Sequence, residues 1–365
     1  MPRIPKVVLP AWTGRHFVGI DENGMGPRLG PLIVTSVLAE TDERGARLVA
    51  SRPRGSVAKR IGDSKKLVAF DDSALGEAWA RAIAVRTGAS PRTPAELLAA
   101  IALDTHDVLT APCPSHHVDL CWSTEGESFV SDDEMVAACT SDLERLEARG
   151  VFVRRTRVAV VCTKLLNDAV DRGLSRFHID LHTMERLTLD ARDFSKDEVY
   201  ALCGKVGGFD FYGDRFGPLG GYLHTMLVES RARSEYHVPS VGRLAFVRDG
   251  DDTHLIIGLA SLVGKWARDH LMRRVVRFHR VHDATLPDAS GYHDPVTTQF
   301  IRASALIRKK QRVEPTCFER AALGPPSSRA PSGPTSSARR TKPPKPKAQP
   351  SPSPRALSLL PLEEA

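Results

Sequence analysis

The chain has 365 residues and a formal net charge of +7, with 41% hydrophobic and 26% charged residues. That balance suits one sizeable globular domain or two. No run approaches the ~20 apolar residues of a bilayer-spanning helix, and residues 1–12 lack an apolar stretch followed by a small-residue cleavage site, so secreted and membrane classes are disfavoured. Residues 324–365 hold seven Lys/Arg against two Glu, which leaves the body at about +2 and gives no global electrostatic case for a polyanion partner.

In chain order, Phe17-Val18-Gly19-Ile20 reads as a strand running into Asp21-Glu22 and a Gly-rich turn, and the β-branched run 32–38 as the returning strand of a hairpin. Residues 72–86, 94–109 and 132–149 read as helices, the last capped by Ser131 or Asp132 and stopped by Gly150. A buried strand is expected over 158–162, another over 198–203, and residues 255–259 lead into a long helix through about 279. Mixed strands and helices place the chain in the α/β or α+β class. The Pro-, Ser- and Lys/Arg-rich stretch 324–365 has too few large apolar residues to offset its ordering entropy and reads as a disordered tail. Six cysteines form no CxxC pair, as in a cytoplasmic protein with reduced thiols. Cys113, His116, His117 and Cys121 fit no standard zinc spacing.

Three fragments carry chemistry. Asp21-Glu22-Asn23-Gly24-Met25-Gly26 sets two carboxylates at a strand end beside glycines, which suits a divalent cation with oxygen ligands. Surface acids beside a turn look the same. Gly62-Asp63-Ser64-Lys65-Lys66-Leu67 can bind a phosphate through hydroxyl, ammonium and backbone N–H groups, or simply cap a helix. In the long helix, Leu259, Val263, Ala267, Leu271 and Val275 form one row and Ser261, Lys265 and Asp269 another, ~200° away. The second row is expected to face outward.

Together and in this order the fragments resemble the type 2 ribonucleases H. The family's opening, DEAGRGPLAGP, is similar to Asp21 through Pro31, its DSKKL to Asp63 through Leu67, and its ASILAKVxRDxxM helix to Ala260 through Met272. The resemblance spans about residues 15–320, with divergent or inserted material around 85–195. It implies an N-terminal extension (1–14), a ribonuclease HII-like domain (15–323) and the tail (324–365). The fold implied is a ribonuclease H-like α/β architecture: a mixed five-stranded sheet flanked by helices, with a helical C-terminal part.

The activity implied is metal-dependent endoribonuclease cleavage of RNA in RNA–DNA hybrids, or 5′ of ribonucleotides embedded in duplex DNA, by a monomer using two Mg²⁺ or Mn²⁺ ions. Carried across, Asp21, Glu22 and Asp269 are catalytic metal ligands. Asn23, Gly24, Gly26, Ser64, Lys65, Lys265 and Tyr292 contact nucleic acid, with the glycine turn reading the ribose 2′-OH.

Two departures stand out. Met25 replaces the turn's arginine, and Cys203-Gly204-Lys205 is similar to a CDK segment, so Gly204 stands where the family has a third carboxylate. Asp210 is the nearby acid that would substitute as a metal ligand if its loop folds back. The alternative reading is a degenerate ribonuclease H-fold protein that binds nucleic acid without cleaving it.

Overall fold

The computed structural model describes residues 11–63, 67, 72–114, 116, 119–206 and 209–321. Ser64, Lys65, residues 1–10 of the expected N-terminal extension and the expected tail at 324–365 lie outside them.

Seven strands form one mixed sheet: β1 (His16–Asn23), β2 (Leu32–Thr41), β3 (Val151–Val161), β4 (Val199–Gly204), β5 (Thr225–Glu229), β6 (Arg233–Val238) and β7 (Gly242–Val247), in the order β3-β2-β1-β4-β7-β6-β5. β1 returns antiparallel through β2, while β4 runs parallel to β1 and β7 parallel to β4. The expected mixed sheet flanked by helices is present with seven strands rather than five. The additional β5 and β6 arise because residues 225–238 form an antiparallel ribbon that pairs through β6 with β7. That pairing depends on partners far from the chemistry-bearing motifs, and residues 225–238 show no strong period of their own.

Helices α1 (Glu43–Val49), α2 (Ala74–Arg86), α3 (Pro94–Ile101), α4 (Asp133–Glu147), α5 (Thr163–Asp171), α6 (Arg176–Ser195), α7 (Leu255–Arg280) and α8 (Pro295–Ala303) surround the sheet. Side chains alternate across the pleat. Val18, Ile20, Val34, Ala201 and Cys203 pack with Phe177, Leu181 and Met184 of α6, whereas Phe17, Ile33 and Leu202 pack with α7 and with Trp79 of α2. Two glycines let α7 approach: a Cβ on Gly19 would fall 2.3 Å from the Ile256 backbone, and one on Gly264 2.5 Å from Asn23 Nδ2.

The expected helix over 94–109 breaks after Ile101. The Leu103 N–H donates to Val158 O at 2.8 Å, so the edge of the sheet captures the chain where helix periodicity alone would continue. The 132–149 helix forms as α4, where the Asp132 carboxylate accepts from the Met135 N–H at 2.7 Å. The span 85–195 is integral to the architecture, supplying β3, α6 and the partners of α7. Glu77 of α2, fully buried, accepts from the Ser131 N–H and from Trp266 Nε1, and Glu127 takes Arg274 and Arg277. Among the described residues no helix is long and apolar enough to cross a membrane.

Candidate active site

The parallel strands β1, β4 and β7 end on one edge of the sheet, the place where parallel sheets open crevices for ligands. Asp21 and Glu22 occupy the last residues of β1, with Asp21 paired to Thr35 of β2. The parallel register sets Ile20 against Cys203, which brings Gly204 level with Asp21. A Cβ on Gly204 would lie 2.5 Å from Asp21 Oδ1 and 3.8 Å from Glu22 Oε2. Position 204 is therefore where a third acid would join the pair, and glycine leaves that space to the Asp21 carboxylate itself.

Asp269, on α7, is held by cations of its own helix: Oδ2 accepts from Lys265 Nζ and Oδ1 from Arg268 Nη1, each at 2.8 Å. The expected outward polar row is only partly exposed. Ser261 is buried and its carbonyl accepts from Asn23 Nδ2 at 3.2 Å, because α7 is embedded on nearly every side between the sheet, α2 and the segment around Glu127. Asp210 pairs with Lys205 Nζ at 2.7 Å, an ammonium that also donates to the carbonyl of Ser230.

The turn after β1 is clamped by arginines that sequence reading did not single out. Gly24 adopts φ +90°, a conformation open to glycine. Arg320 donates from Nη1 to Gly24 O at 2.6 Å and from Nε to Gly30 O at 2.8 Å, and Arg176 from Nη1 to Met25 O at 3.2 Å. These side chains bring positive charge to the turn from α6 and from the segment after α8, where the family motif carries it at position 25. Burial, with the charges of Arg176 and Arg268, pushes the Arg320 guanidinium down to about 9. Gly26 faces open space. The half-exposed Tyr292 ring lies 4.4 Å from the Arg268 guanidinium carbon, so Tyr292 and Gly24 meet the same arginine.

One more acid is buried under the sheet, on α6. Asp180 of α6 is fully buried, and neither carboxylate oxygen has a hydrogen-bond partner among the described residues. Burial, reinforced by the negative charge of Asp21, holds its carboxyl well above the usual carboxylate range. Burial, with the charges of Asp180, Asp21 and Glu185, pushes the Cys203 thiol up. The signal was present in the sequence: Asp180 falls in the apolar column of Phe177, Met184 and Leu187, where an acid breaks the period.

Asp21, Glu22 and Asp269 offer only oxygen donors, the chemistry of Mg²⁺ or Mn²⁺. Among the described residues no three His, Cys, Asp or Glu side chains are gathered tightly enough to hold an ion as they stand.

No protein-family model and no curated protein matches the chain. Among solved structures it is similar to RNase HII of Archaeoglobus fulgidus, determined in a complex with PCNA, at 16% identity over 85% of this chain and 97% of that one, with a TM-score of 0.38. Ribonuclease H2 of Pyrococcus horikoshii OT3 matches at 14% over 83% and 92%, TM-score 0.35. RNase H3 of Aquifex aeolicus matches at 12% over 83% and 71%, TM-score 0.37. Over most of its length, then, the chain is similar to solved ribonucleases of the HII, H2 and H3 kinds.

Proposed function

We propose that the chain is a divalent-cation-dependent endoribonuclease acting on the RNA strand of RNA–DNA hybrids or beside a ribonucleotide embedded in duplex DNA. The observation that carries this reading is the pair Asp21-Glu22 at the common end of the parallel strands, with position 204 level with it. Acids gathered in a poorly solvated place repel one another unless a cation joins them.

In this reading Asp21, Glu22 and Asp269 hold Mg²⁺ or Mn²⁺. The bound cation would activate water and stabilise the leaving 3′ oxygen. Gly24 and Gly26 bring main chain to the ribose 2′-OH, Asn23 is seated on α7 behind them, and Tyr292 stacks on a neighbouring sugar. Ser64 and Lys65 contact the backbone of the cleaved strand.

The test is nicking of a duplex carrying one ribonucleotide, in Mg²⁺ and then Mn²⁺, by the wild type and by Asp21→Asn. A nick 5′ of the ribonucleotide that Asp21→Asn lowers at least 100-fold, about 2.7 kcal/mol of transition-state stabilisation, supports the reading. A nick that Asp21→Asn leaves intact overturns it.

A second reading, binding of the duplex without cleavage, is favoured by Gly204 and by the two cations on Asp269. It predicts retained duplex binding and no nick in either metal.

A further inference from the structure

We infer that Phe209 and Phe211, in the loop that follows β4, form with Arg215 and Met25 a stacking surface for an unpaired nucleobase at the edge of the candidate active site. The inference rests on the nuclease reading and deepens it, by naming an unstacked base as part of what the site holds.

Exposed aromatic rings grouped at a functional edge call for a reason. Phe211 is 62% and Phe209 38% exposed, while their neighbours in the chain are held inward. Asp210 is paired with Lys205 Nζ, and its carbonyl accepts from Ser234 Oγ at 2.6 Å. Tyr212 is fully buried, its hydroxyl accepting from the Val206 N–H at 3.1 Å and its own N–H donating to the Tyr236 hydroxyl at 2.9 Å. A chain fastened at 210 and 212 presents 209 and 211 to solvent. The Phe209 ring is stacked on Phe177 of α6 at 4.0 Å between centroids, and the Arg215 guanidinium carbon lies 5.4 Å from its centroid. The ion-pair partner of Arg215, Asp214, is 3.7 Å away and 77% exposed, too loose a pair to neutralise the cation. A ring held rigid by stacking, with a guanidinium at its side, is the chemistry that takes the flat face of a base and its phosphate.

The surface belongs to the edge that carries the acids. β4 ends at Gly204, level with Asp21. The Phe209 N–H closes a turn on Val206 O at 3.1 Å, so the Phe209 Cα stays within roughly 14 Å of Gly204 by chain length alone. From the other side, Arg176, the residue before Phe177, donates to Met25 O at 3.2 Å, and the half-buried Met25 packs against the cluster that contains Phe177. Positions 25 and 209 are both basic in the family pattern that this chain resembles, and here both are apolar. The two exchanges meet at the start of α6. Replacing cations by apolar side chains at both places lowers the attraction for phosphate and raises it for the face of a base.

The experiment measures binding of a fluorescein-labelled single-stranded oligonucleotide to the full chain in EDTA, by anisotropy, beside an abasic strand of equal length. The two strands carry the same charge, so attraction by basic segments cancels in the ratio of affinities. The expected result is a wild-type preference of about fivefold or more for the strand with bases. That preference should fall about threefold or more in Phe211→Ala and in Phe209→Leu, and persist in Phe211→Trp. Phe209→Leu keeps an apolar side chain on Phe177 while removing the aromatic face, and the Tm of each variant is recorded. A lowered Tm with an unchanged preference would make the rings a packing feature and overturn the inference, as would a wild type that binds both strands equally. The nuclease reading fails on a separate readout, the Asp21-dependent nick, so the two failures are distinguishable.

Discussion

The carboxylate of Asp21 lies where the side chain of residue 204 would begin: a Cβ built on Gly204 falls 2.5 Å from Asp21 Oδ1. The contact is with the free end of a side chain, so it yields by rotation. Gly204→Asp should therefore fold, at a cost of about 1–3 kcal/mol for overpacking, and should raise both Mn²⁺ affinity and nicking several-fold by adding an acid beside Asp21 and Glu22. Gly204→Ala should show the same loss of stability with no gain. Urea unfolding alongside the nicking assay separates the two, and equal activity of Gly204→Asp and wild type would count against this position as the missing ligand site.

Lys265 and Asp269 are one turn apart on α7 and joined at 2.8 Å. An ammonium on that oxygen competes with any other cation for it. Lys265→Met should raise Mn²⁺ affinity about two- to tenfold in the absence of nucleic acid, the scale of a partly buried ion pair, and should weaken duplex binding. Calorimetry with Mn²⁺ and a salt-dependent binding assay read the two effects independently.

Arg320 ties the two ends of the turn that follows β1 by bonds to Gly24 O and Gly30 O. Removing it leaves buried carbonyls without their charged donor, at about 1.5–3 kcal/mol for each bond lost. Arg320→Ala should lower unfolding stability by roughly 3–6 kcal/mol and loosen the turn, which hydrogen exchange of the amides at 24–30 would detect as faster opening.

Glu185 of α6 is buried and accepts from the backbone N–H groups of Gly217 and Leu219. Burial outweighs those bonds and raises its carboxyl from near 4.5 to about 7. Between these values the folded protein keeps a proton that the unfolded chain has released, so stability from this group is present below pH 4.5 and is lost as pH rises toward 7. Glu185→Gln should flatten that part of the pH profile and gain stability at pH 8, by roughly 3 kcal/mol at most. The difference between the two unfolding curves, taken from pH 4 to 8, isolates the group from histidines such as His279, whose lowered value of about 4 has the opposite slope.

Much of the candidate site was legible because its parts are contiguous in the chain. Asp21-Glu22 is adjacent by covalent connection, Gly24 announces a turn, and Lys265 and Asp269 are joined by helix periodicity. Local chemistry also predicted β1, β2, α4 and α7, whose hydrophobic periods are strong, and the resemblance to the type 2 ribonucleases H singled out Gly204 as a missing acid. What it could not supply is distance between remote segments. The break of the 94–109 helix and the Arg320 and Arg176 clamps on the turn depend on partners more than 50 residues away. The exposure expected for Ser261 failed for the same reason, since a helix in a sequence has no knowledge of what packs on its polar side.

Asp180 marks the boundary most clearly. The sequence by itself determined that α6 carries an acid in an apolar column, because spacing on a helix is a local property. Only the tertiary structure decided that this column lies under β1 and β4, where the acid is buried without a hydrogen-bond partner among the described residues. An acid's chemistry depends on which charges and how little water surround it, and those are set by packing rather than by the order of residues.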